Sequence, residues 1–292
     1  MTATLSTPRA VKKSTGSWLV WLGLLPIVLF GLAFEFLPLI TVIKSSLTNK
    51  GIFTLEFYRQ AMDPLFMRAF GNSIKLSATT AFFGVLFGTP IAYAIITTKN
   101  KFVQNALTAL SDVTTNFGGA PLAFAFIVIL GSTGVITLLF KQVGVNLYPN
   151  LFRIYSISGL TIAYLYFQLP LMILLIIPAL YGLKREWHEA ALNLGASSFS
   201  YWLEIALPIL FPALMSGFLL LFANSFGAYA TAWTLTGSDV DLITIRIAAL
   251  IRGEVQLAPE LADALSMLSL LVMTSCVLGY MGLSNLSRRN QK

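Results

Sequence analysis

The chain has 292 residues and a net charge of +7; 57% of the residues are hydrophobic and only 11% are charged. A water-soluble domain carries about 25% charged residues, so this composition excludes an ordinary soluble protein and indicates a polytopic α-helical membrane protein. The basic residues form short clusters between apolar runs, which is typical of membrane orientation signals and does not suggest a nucleic-acid-binding face.

Six apolar stretches are long enough to cross a bilayer core, which takes about 20 helical residues. They lie near residues 18–43, 74–97, 104–130, 159–181, 209–235 and 263–285. The first is too long for the core of a signal peptide, so we predict a retained span. Between spans 1 and 2, segment 54–72 mixes aromatic and basic residues as a short interfacial helix does.

Six crossings place both termini on one side of the membrane. The termini and the loops after spans 2 and 4 carry lysine and arginine, which predicts that they lie in the cytoplasm of a bacterial cell, with the spans in the inner membrane. We therefore expect a cytoplasmic tail over 1–16, a six-span domain over 17–285 and a second cytoplasmic tail over 286–292.

The segment 184–208, between spans 4 and 5, predicts a helix–turn–helix outside the membrane. Its first part consists of good helix formers. Gly195 can end that helix because a left-handed turn costs little without a Cβ atom. Ser197 or Ser198 can cap a second helix, and Pro208 marks the entry to span 5.

Seven residues of this segment have a fixed spacing: Glu189, Ala190, Ala191, Gly195, Ile205, Leu207 and Pro208. The pattern is EAA, three residues, Gly, nine residues, Ile, one residue, Leu-Pro. It resembles the EAA loop of the permease subunits of binding-protein-dependent ABC importers. The remaining chain is similar to the six-span core of that family, and residues 222–237 are similar to the span-5 region of polyamine permeases.

The resemblance implies the all-α fold of a type I ABC importer permease, with a coupling helix that docks on a cytoplasmic ATPase homodimer. ATP and Mg would belong to that ATPase, and the chain would hold no cofactor or metal. Glu189 would make a polar contact with the ATPase, Ala190 and Ala191 would permit close packing, and Gly195 would turn the chain. Further implied partners are a second, non-identical permease subunit and an extracytoplasmic solute-binding protein.

The resemblance favours a polyamine or a related organic solute, and phosphonate, sugar phosphate, opine-like compounds, thiamine and iron remain open. No G-x-x-x-x-G-K-[S/T] phosphate loop is present, and the one histidine, His188, permits neither a multi-histidine metal site nor a Ser/His/Asp triad. The single cysteine, Cys276, excludes an intrachain disulfide. We expect a permease and not an enzyme.

Polar residues inside the spans are costly and tend to face a cavity or the bundle interior. Those that we assign to a solute pathway are Asp112, Asn116, Gln168, Asn224, Ser225, Tyr229 and Thr231. The alternative is that they bond between helices. If Asp112 and Glu35 line the pathway, they favour a cationic solute.

The predicted loop between spans 5 and 6 is rich in charge, with acidic residues alongside Arg246 and Arg252. It predicts either a docking surface for a solute-binding protein or an ordinary solvated loop. Two rival functions remain: an ion-gradient-driven transporter with Asp112 or Glu35 as the ion site, and a non-transporting membrane scaffold or assembly subunit. For the segment 184–208 itself, the alternative is a surface hairpin without a partner.

Overall fold

The structure, a computed structural model, describes residues 17–148, 152–254 and 257–290. Within these ranges the chain is almost wholly helical, as the composition predicts. Its α-helices there are α1 (Ser17–Gly31), α2 (Leu37–Leu47), α3 (Glu56–Ala61), α4 (Pro64–Thr97), α5 (Lys101–Asn116), α6 (Gly119–Leu130), α7 (Val135–Gln142), α8 (Ile157–Tyr181), α9 (Arg185–Asn193), α10 (Ser198–Tyr201), α11 (Leu207–Gly227), α12 (Ala230–Thr236), α13 (Ile243–Arg252) and α14 (Pro259–Asn290). The strands β1 (Thr48–Asn49) and β2 (Ile52–Phe53) pair antiparallel.

Six helical stretches are long and apolar enough to cross a membrane, which confirms the six-span prediction. They are Leu24–Leu47, Pro64–Thr97, Gly119–Gln142, Ile157–Tyr181, Ser198–Gly227 and Pro259–Leu283. Their bounds differ from the predicted ones by up to about fifteen residues. The expected tail over 1–16 lies outside the described residues. Of the expected tail over 286–292, residues 286–290 continue α14 and the last two residues lie outside the described ranges.

Two of the predicted spans are broken helices. The stretch 104–130 consists of α5 and α6, separated at Phe117 and Gly118. The stretch 209–235 consists of α11 and α12, separated at Ala228 and Tyr229. Gly119, which has φ +71° and no Cβ atom, permits the first break. Both breaks lie at an end of a membrane-spanning stretch, directly before Gly119–Gln142 and directly after Ser198–Gly227.

Segment 54–72 forms α3 and the first part of α4, where we predicted one short interfacial helix. The two helices are separate because Asp63 begins a new one. Its carboxylate accepts a hydrogen bond of 2.8 Å from the Leu65 amide, and Pro64 at the first helical position needs no hydrogen-bond partner for its nitrogen. The helix α4 therefore starts well before the predicted span.

A π-helical turn precedes each of two Leu-Pro pairs. The turns Leu32–Phe36 and Trp202–Ala206 lead directly into Leu37-Pro38 and Leu207-Pro208. Proline lacks an amide hydrogen and its ring clashes with a carbonyl one turn earlier. One wider turn relieves that clash, so the helix continues through the proline. The second helix of the predicted helix–turn–helix thus runs without interruption into span 5.

Helices α4, α8, α11 and α14 form the centre of the bundle. On α4, Gly84 and Gly88 form a G-x-x-x-G motif, which lets helix backbones approach closely. A Cβ atom at Gly88 would lie 2.8 Å from Cβ of Met172 on α8, and one at Gly84 would meet the Leu221 side chain on α11. Our sequence analysis missed this motif, although its four-residue spacing is visible in the sequence.

The bundle has two ends that differ in their loops. At one end, which we name the hairpin end, α8 leads into α9, and the Gln104 side chain donates a hydrogen bond of 2.9 Å to the Tyr181 hydroxyl. At the opposite end, the Asn72 side chain donates to the carbonyl of Asp241 at 3.0 Å. The Ile243 amide donates to the nearby Ser73 hydroxyl at 2.9 Å.

Candidate coupling hairpin and solute cleft

The segment 184–208 folds as the predicted helix–turn–helix at the hairpin end. Helix α9 ends in a Schellman turn: the Ala196 amide donates to the Ala191 carbonyl and the Gly195 amide to the Leu192 carbonyl, both at 3.0 Å. Gly195 has φ +85°, as its predicted role requires. Ser197 caps the second helix by accepting from the Ser200 amide at 3.1 Å. The predicted helix, stop and cap are confirmed.

The hairpin has a small core of its own. Ala191, Tyr201 and Ala206 are buried in it. The half-buried His188 ring packs edge-on against Tyr201, with ring centroids 4.7 Å apart. Trp202 packs in the same way on Tyr93 of α4, at 4.8 Å. The hairpin is therefore fixed both to itself and to the end of α4, so a force on the hairpin would reach the bundle.

The seven motif residues divide between the surface and this core. Glu189 and Ala190 are exposed, and Gly195 forms the exposed turn, whereas Ala191 is buried within the hairpin and Ile205 packs against its core. The two remaining residues, Leu207 and Pro208, are exposed at the start of α11. The motif thus combines an outward face with residues that shape the hairpin.

Two apolar side chains on the hairpin surface escaped the sequence analysis. Leu194 is 89% exposed and Phe199 is 72% exposed, on either side of the Gly195 turn. Beside them, Glu189 forms an ion pair of 2.8 Å with Arg185. Apolar side chains with polar and charged residues around them are a usual composition for a docking surface. The signal was present in the sequence as large apolar residues flanking a predicted exposed turn.

The two helix breaks meet inside the bundle. The Gly119 amide, at the start of α6, donates to the Thr231 hydroxyl of α12 at 2.9 Å. The Tyr164 hydroxyl of α8 donates to the carbonyl of Ala228 at 2.6 Å, which satisfies a backbone group that the second break leaves free. Three elements thereby hold the breaks against each other.

A cleft of about 380 Å³ opens where the breaks meet, and we name it the solute cleft. Its lining residues are Thr115, Asn116, Gly118, Gly119, Phe167, Asn224, Ala228, Tyr229, Ala230 and Thr231. Four of the seven predicted pathway residues are among them. The solute cleft therefore brings together polar residues from spans 3 and 5, the two spans that lined the predicted pathway.

Three predicted pathway residues lie elsewhere. Gln168 and Ser225 are buried between helices: the Gln168 amide donates to the carbonyl of Leu221 at 2.7 Å, and Ser225 shares a hydrogen bond of 3.0 Å with Thr80. Asp112 lines a different cavity, of about 690 Å³, together with Lys101. These three residues fit the alternative reading, in which polar side chains bond between helices or line another space.

Arg252 lies between spans 5 and 6, as predicted, and it packs on a residue of the solute cleft. It ends α13, and its guanidinium carbon is 5.6 Å from the ring centroid of Tyr229 and 5.4 Å from that of Trp233. Glu254 pairs with it at 3.6 Å. The predicted loop contains α13, which packs on α4 and α14. No sequence pattern that we considered predicted that α13 packs back on the bundle.

Comparison with known proteins identifies the family. Residues 84–291 match the family model described as "Binding-protein-dependent transport system inner membrane component". The "Probable sulfate transport system permease protein" of Prototheca wickerhamii is 31% identical over 198 residues, which are 67% of this chain and 72% of that protein. The spermidine/putrescine transport system permease protein PotB of Haemophilus influenzae is 28% identical, with 78% and 77% covered.

A third relative is the molybdenum transport system permease protein ModB of Mycobacterium tuberculosis, 26% identical over 77% of this chain and 82% of that protein. Among solved structures, a bacterial ABC transporter involved in alginate import matches with a TM-score of 0.71 and 18% identity, over 94% of this chain and 97% of that one. The MetNI methionine ABC transporter matches with a TM-score of 0.55 and 14% identity, over 77% and 95%. These structures share the fold. The chain belongs to the family of binding-protein-dependent transport system inner membrane components, the permease subunits of ABC importers.

Proposed function

We propose that this permease passes a small solute through the solute cleft and that the hairpin over 184–208 couples it to a separate ATPase homodimer in the cytoplasm. The observation that carries the proposal is the hairpin surface. Glu189, Leu194 and Phe199 project from a rigid turn that has its own core. ATP-driven closure of the ATPase would move the hairpin and, through the Tyr93–Trp202 contact, helix α4.

Two further partners, a second permease subunit and a solute-binding protein, are proposed from the family match and from the exposed apolar surface of the first span. A second permease subunit would complete the membrane pathway, and a solute-binding protein would deliver the solute at the opposite end. The stretch Leu24–Leu47 leaves its most apolar part unburied by the rest of the chain. Lipid or the second permease subunit would cover that surface in the inner membrane.

The names of the relatives offer more than one solute. Spermidine and putrescine appear in one name, sulfate in another and molybdenum in a third. The polyamine favoured by the sequence is therefore one candidate among several. Asp112, the residue that supported a cation, lines a cavity with Lys101. The family match, and not the position of Asp112, disfavours the ion-gradient-driven transporter predicted as the alternative.

Reversing the charge of Glu189 tests the coupling role. The Arg185–Glu189 pair is exposed, and such pairs contribute at most about 1 kcal/mol to stability, so the Glu189→Lys variant should fold and insert. We expect its co-purification with the ATPase to fall at least about tenfold, since loss of a charged contact at a docked surface costs about 2 kcal/mol or more. Glu56→Lys, at the opposite end, is the matched control and should retain the ATPase.

A double variant separates docking from helix stability. Arg185→Glu combined with Glu189→Lys restores the ion pair within α9 but reverses the charges that the partner meets. If the hairpin docks through Glu189, the double variant still loses the ATPase. Recovery of ATPase binding would assign Glu189 to helix stability alone and would overturn the coupling role proposed for it.

A further inference from the structure

We infer that the cavity of about 690 Å³ lined by Asp112 is the route by which solute leaves the solute cleft toward the hairpin end. We name it the exit cavity. The inference rests on the proposed function, in which solute moves through the solute cleft. It depends on three observations: the two cavities adjoin, one face of α5 lines both, and Asp112 forms no ion pair with a described residue.

Helix α5 connects the hairpin end to the solute cleft. Near the start of α5, the Gln104 side chain bonds to the Tyr181 hydroxyl at the hairpin end, and both residues line the exit cavity. In the last turn of α5, Thr115 and Asn116 line the solute cleft. The Asn116 amide donates a hydrogen bond of 2.9 Å to the carbonyl of Asp112. The two cavities therefore meet within about one turn of the same helix.

Most polar side chains of α5 lie on one face of the helix, which we name the polar face. They recur three or four residues apart, the spacing that places side chains on one side of an α-helix. The residues of the polar face are Lys101, Asn105, Thr108, Asp112, Thr115 and Asn116. The first four line the exit cavity and the last two line the solute cleft. The polar face is therefore a continuous wall from one cavity to the other.

The opposite face of α5 is apolar. Leu110 and Val113 lie on it, and both are exposed in this chain. In a membrane bundle, polar side chains tend to face the interior or a water-filled cavity, and apolar side chains face lipid. The division of α5 into two faces thus favours a polar route on one side and lipid on the other.

Asp112 favours a hydrated exit cavity. Its side chain is exposed, and within the described ranges no basic side chain forms an ion pair with it. Leu174 and Ile177, which line the same cavity, belong to the membrane-spanning stretch Ile157–Tyr181. A carboxylate beside such a stretch is costly unless water or a partner solvates it. Because Lys101 also lines the cavity, the lining has one charge of each sign and does not select the solute by charge.

The alternative is that the polar face packs against the second permease subunit and is dry. Cysteine substitutions along α5 distinguish the two cases. In a Cys276→Ala background, the full chain is co-expressed with its partner subunits and labelled in membrane vesicles of either orientation, without nucleotide. The probe is a charged, membrane-impermeant maleimide. Leu194→Cys, on the exposed hairpin turn, identifies the vesicles in which the probe meets the hairpin end.

We expect cysteines at positions 105, 108 and 112 to react in those vesicles, and cysteines at positions 110 and 113 to remain unlabelled. The reason is that a thiol facing lipid neither ionises readily nor meets the charged probe. Equal labelling of the two faces, or a polar face that does not react, would overturn the inference.

A narrowing test shows whether the exit cavity leads to the solute cleft. Asn224→Cys places a thiol in the cleft, and its labelling rate from the hairpin end is measured. Asn105→Trp combined with Thr108→Trp adds two indole groups to a cavity of about 690 Å³ and should slow that labelling severalfold. Leu110→Trp combined with Val113→Trp, on the exposed apolar face, is the matched control and should leave the rate unchanged. Equal rates in the two double variants, or no reaction at position 224 from the hairpin end, would refute the route.

The same membranes keep the two proposals distinguishable. ATPase recovered with the chain, together with an unlabelled polar face, would reject the exit route and leave the coupling role intact. A labelled polar face and a narrowing effect in a chain that never binds an ATPase would reject the coupling role. They would leave the exit route established.

Discussion

The hairpin over 184–208 and the solute cleft are stabilised by contacts that differ in sequence separation. In the hairpin, the Schellman turn at Gly195 and the cap at Ser197 each close within a few residues. In the solute cleft, the bond between Gly119 and Thr231 joins positions 112 residues apart. The shape of the hairpin is therefore a local property, whereas the shape of the cleft depends on the whole bundle. Changes in the hairpin should thus affect docking more than the cleft, and changes in the bundle should affect the cleft.

The largest expected effect is in the packing of α4 against α8. Gly88→Leu would force α4 away from Met172, since even a Cβ atom would lie 2.8 Å from Cβ of that residue. We expect a loss of about 3 kcal/mol in the free energy of unfolding, as for severe overpacking. Chemical unfolding in detergent micelles measures it. Gly71→Leu on the same helix, with open space around it, should change stability little; equal stability of the two variants would contradict the packing.

The second effect is at the junction of the two breaks. Thr231→Val removes the hydrogen bond to the Gly119 amide and should cost about 1 kcal/mol, because that part-buried amide then lacks its partner. Solute uptake should slow while ATPase binding is retained. Thr236→Val is the matched control: Thr236 is also buried on α12, but its hydroxyl bonds only within its own helix, to Ala232. Indistinguishable uptake by the two variants would show that the junction does not shape the pathway.

The smallest effect on stability is at the hairpin turn. Gly195 and Gly144 both have φ +85° and open space where a Cβ atom would go. Alanine at either position should cost about 1 kcal/mol, the strain of a left-handed residue. Only Gly195→Ala should also lower the rate of ATP hydrolysis by the assembled transporter, because Gly144 lies outside the hairpin. Equal hydrolysis by the two variants would separate the turn from coupling.

This difference in sequence separation also explains which features the sequence could predict. The α9 helix, the Gly195 stop and the Ser197 cap follow from local rules, so the hairpin was predicted nearly to the residue. Its exposed apolar residues, Leu194 and Phe199, were missed because a motif search weighs identity and not exposure. The helix–turn–helix needed no knowledge of the remaining fold.

The cleft was predicted only in part. Polarity alone selected Asn224 and Gln168 alike, yet only Asn224 lines the cleft. Gln168 is buried between helices, where it donates to the Leu221 carbonyl and accepts from the Asn224 amide at 3.4 Å. Which way a polar residue faces depends on how its helix is rotated in the bundle, and no local rule sets that rotation. The contact of Arg252 with Tyr229 could not be predicted for the same reason, since the packing of α13 on the bundle is a long-range feature.

The central claim is that the hairpin contacts an ATPase. A photo-activated cross-linking residue in place of Leu194, which is 89% exposed, tests it in the assembled transporter in membranes, with Val143, 81% exposed in the loop after α7, as the control position. We predict that position 194 cross-links to the ATPase subunit and that position 143 does not. Cross-links from 194 to lipid alone, or equal ATPase cross-linking from both positions, would contradict the account.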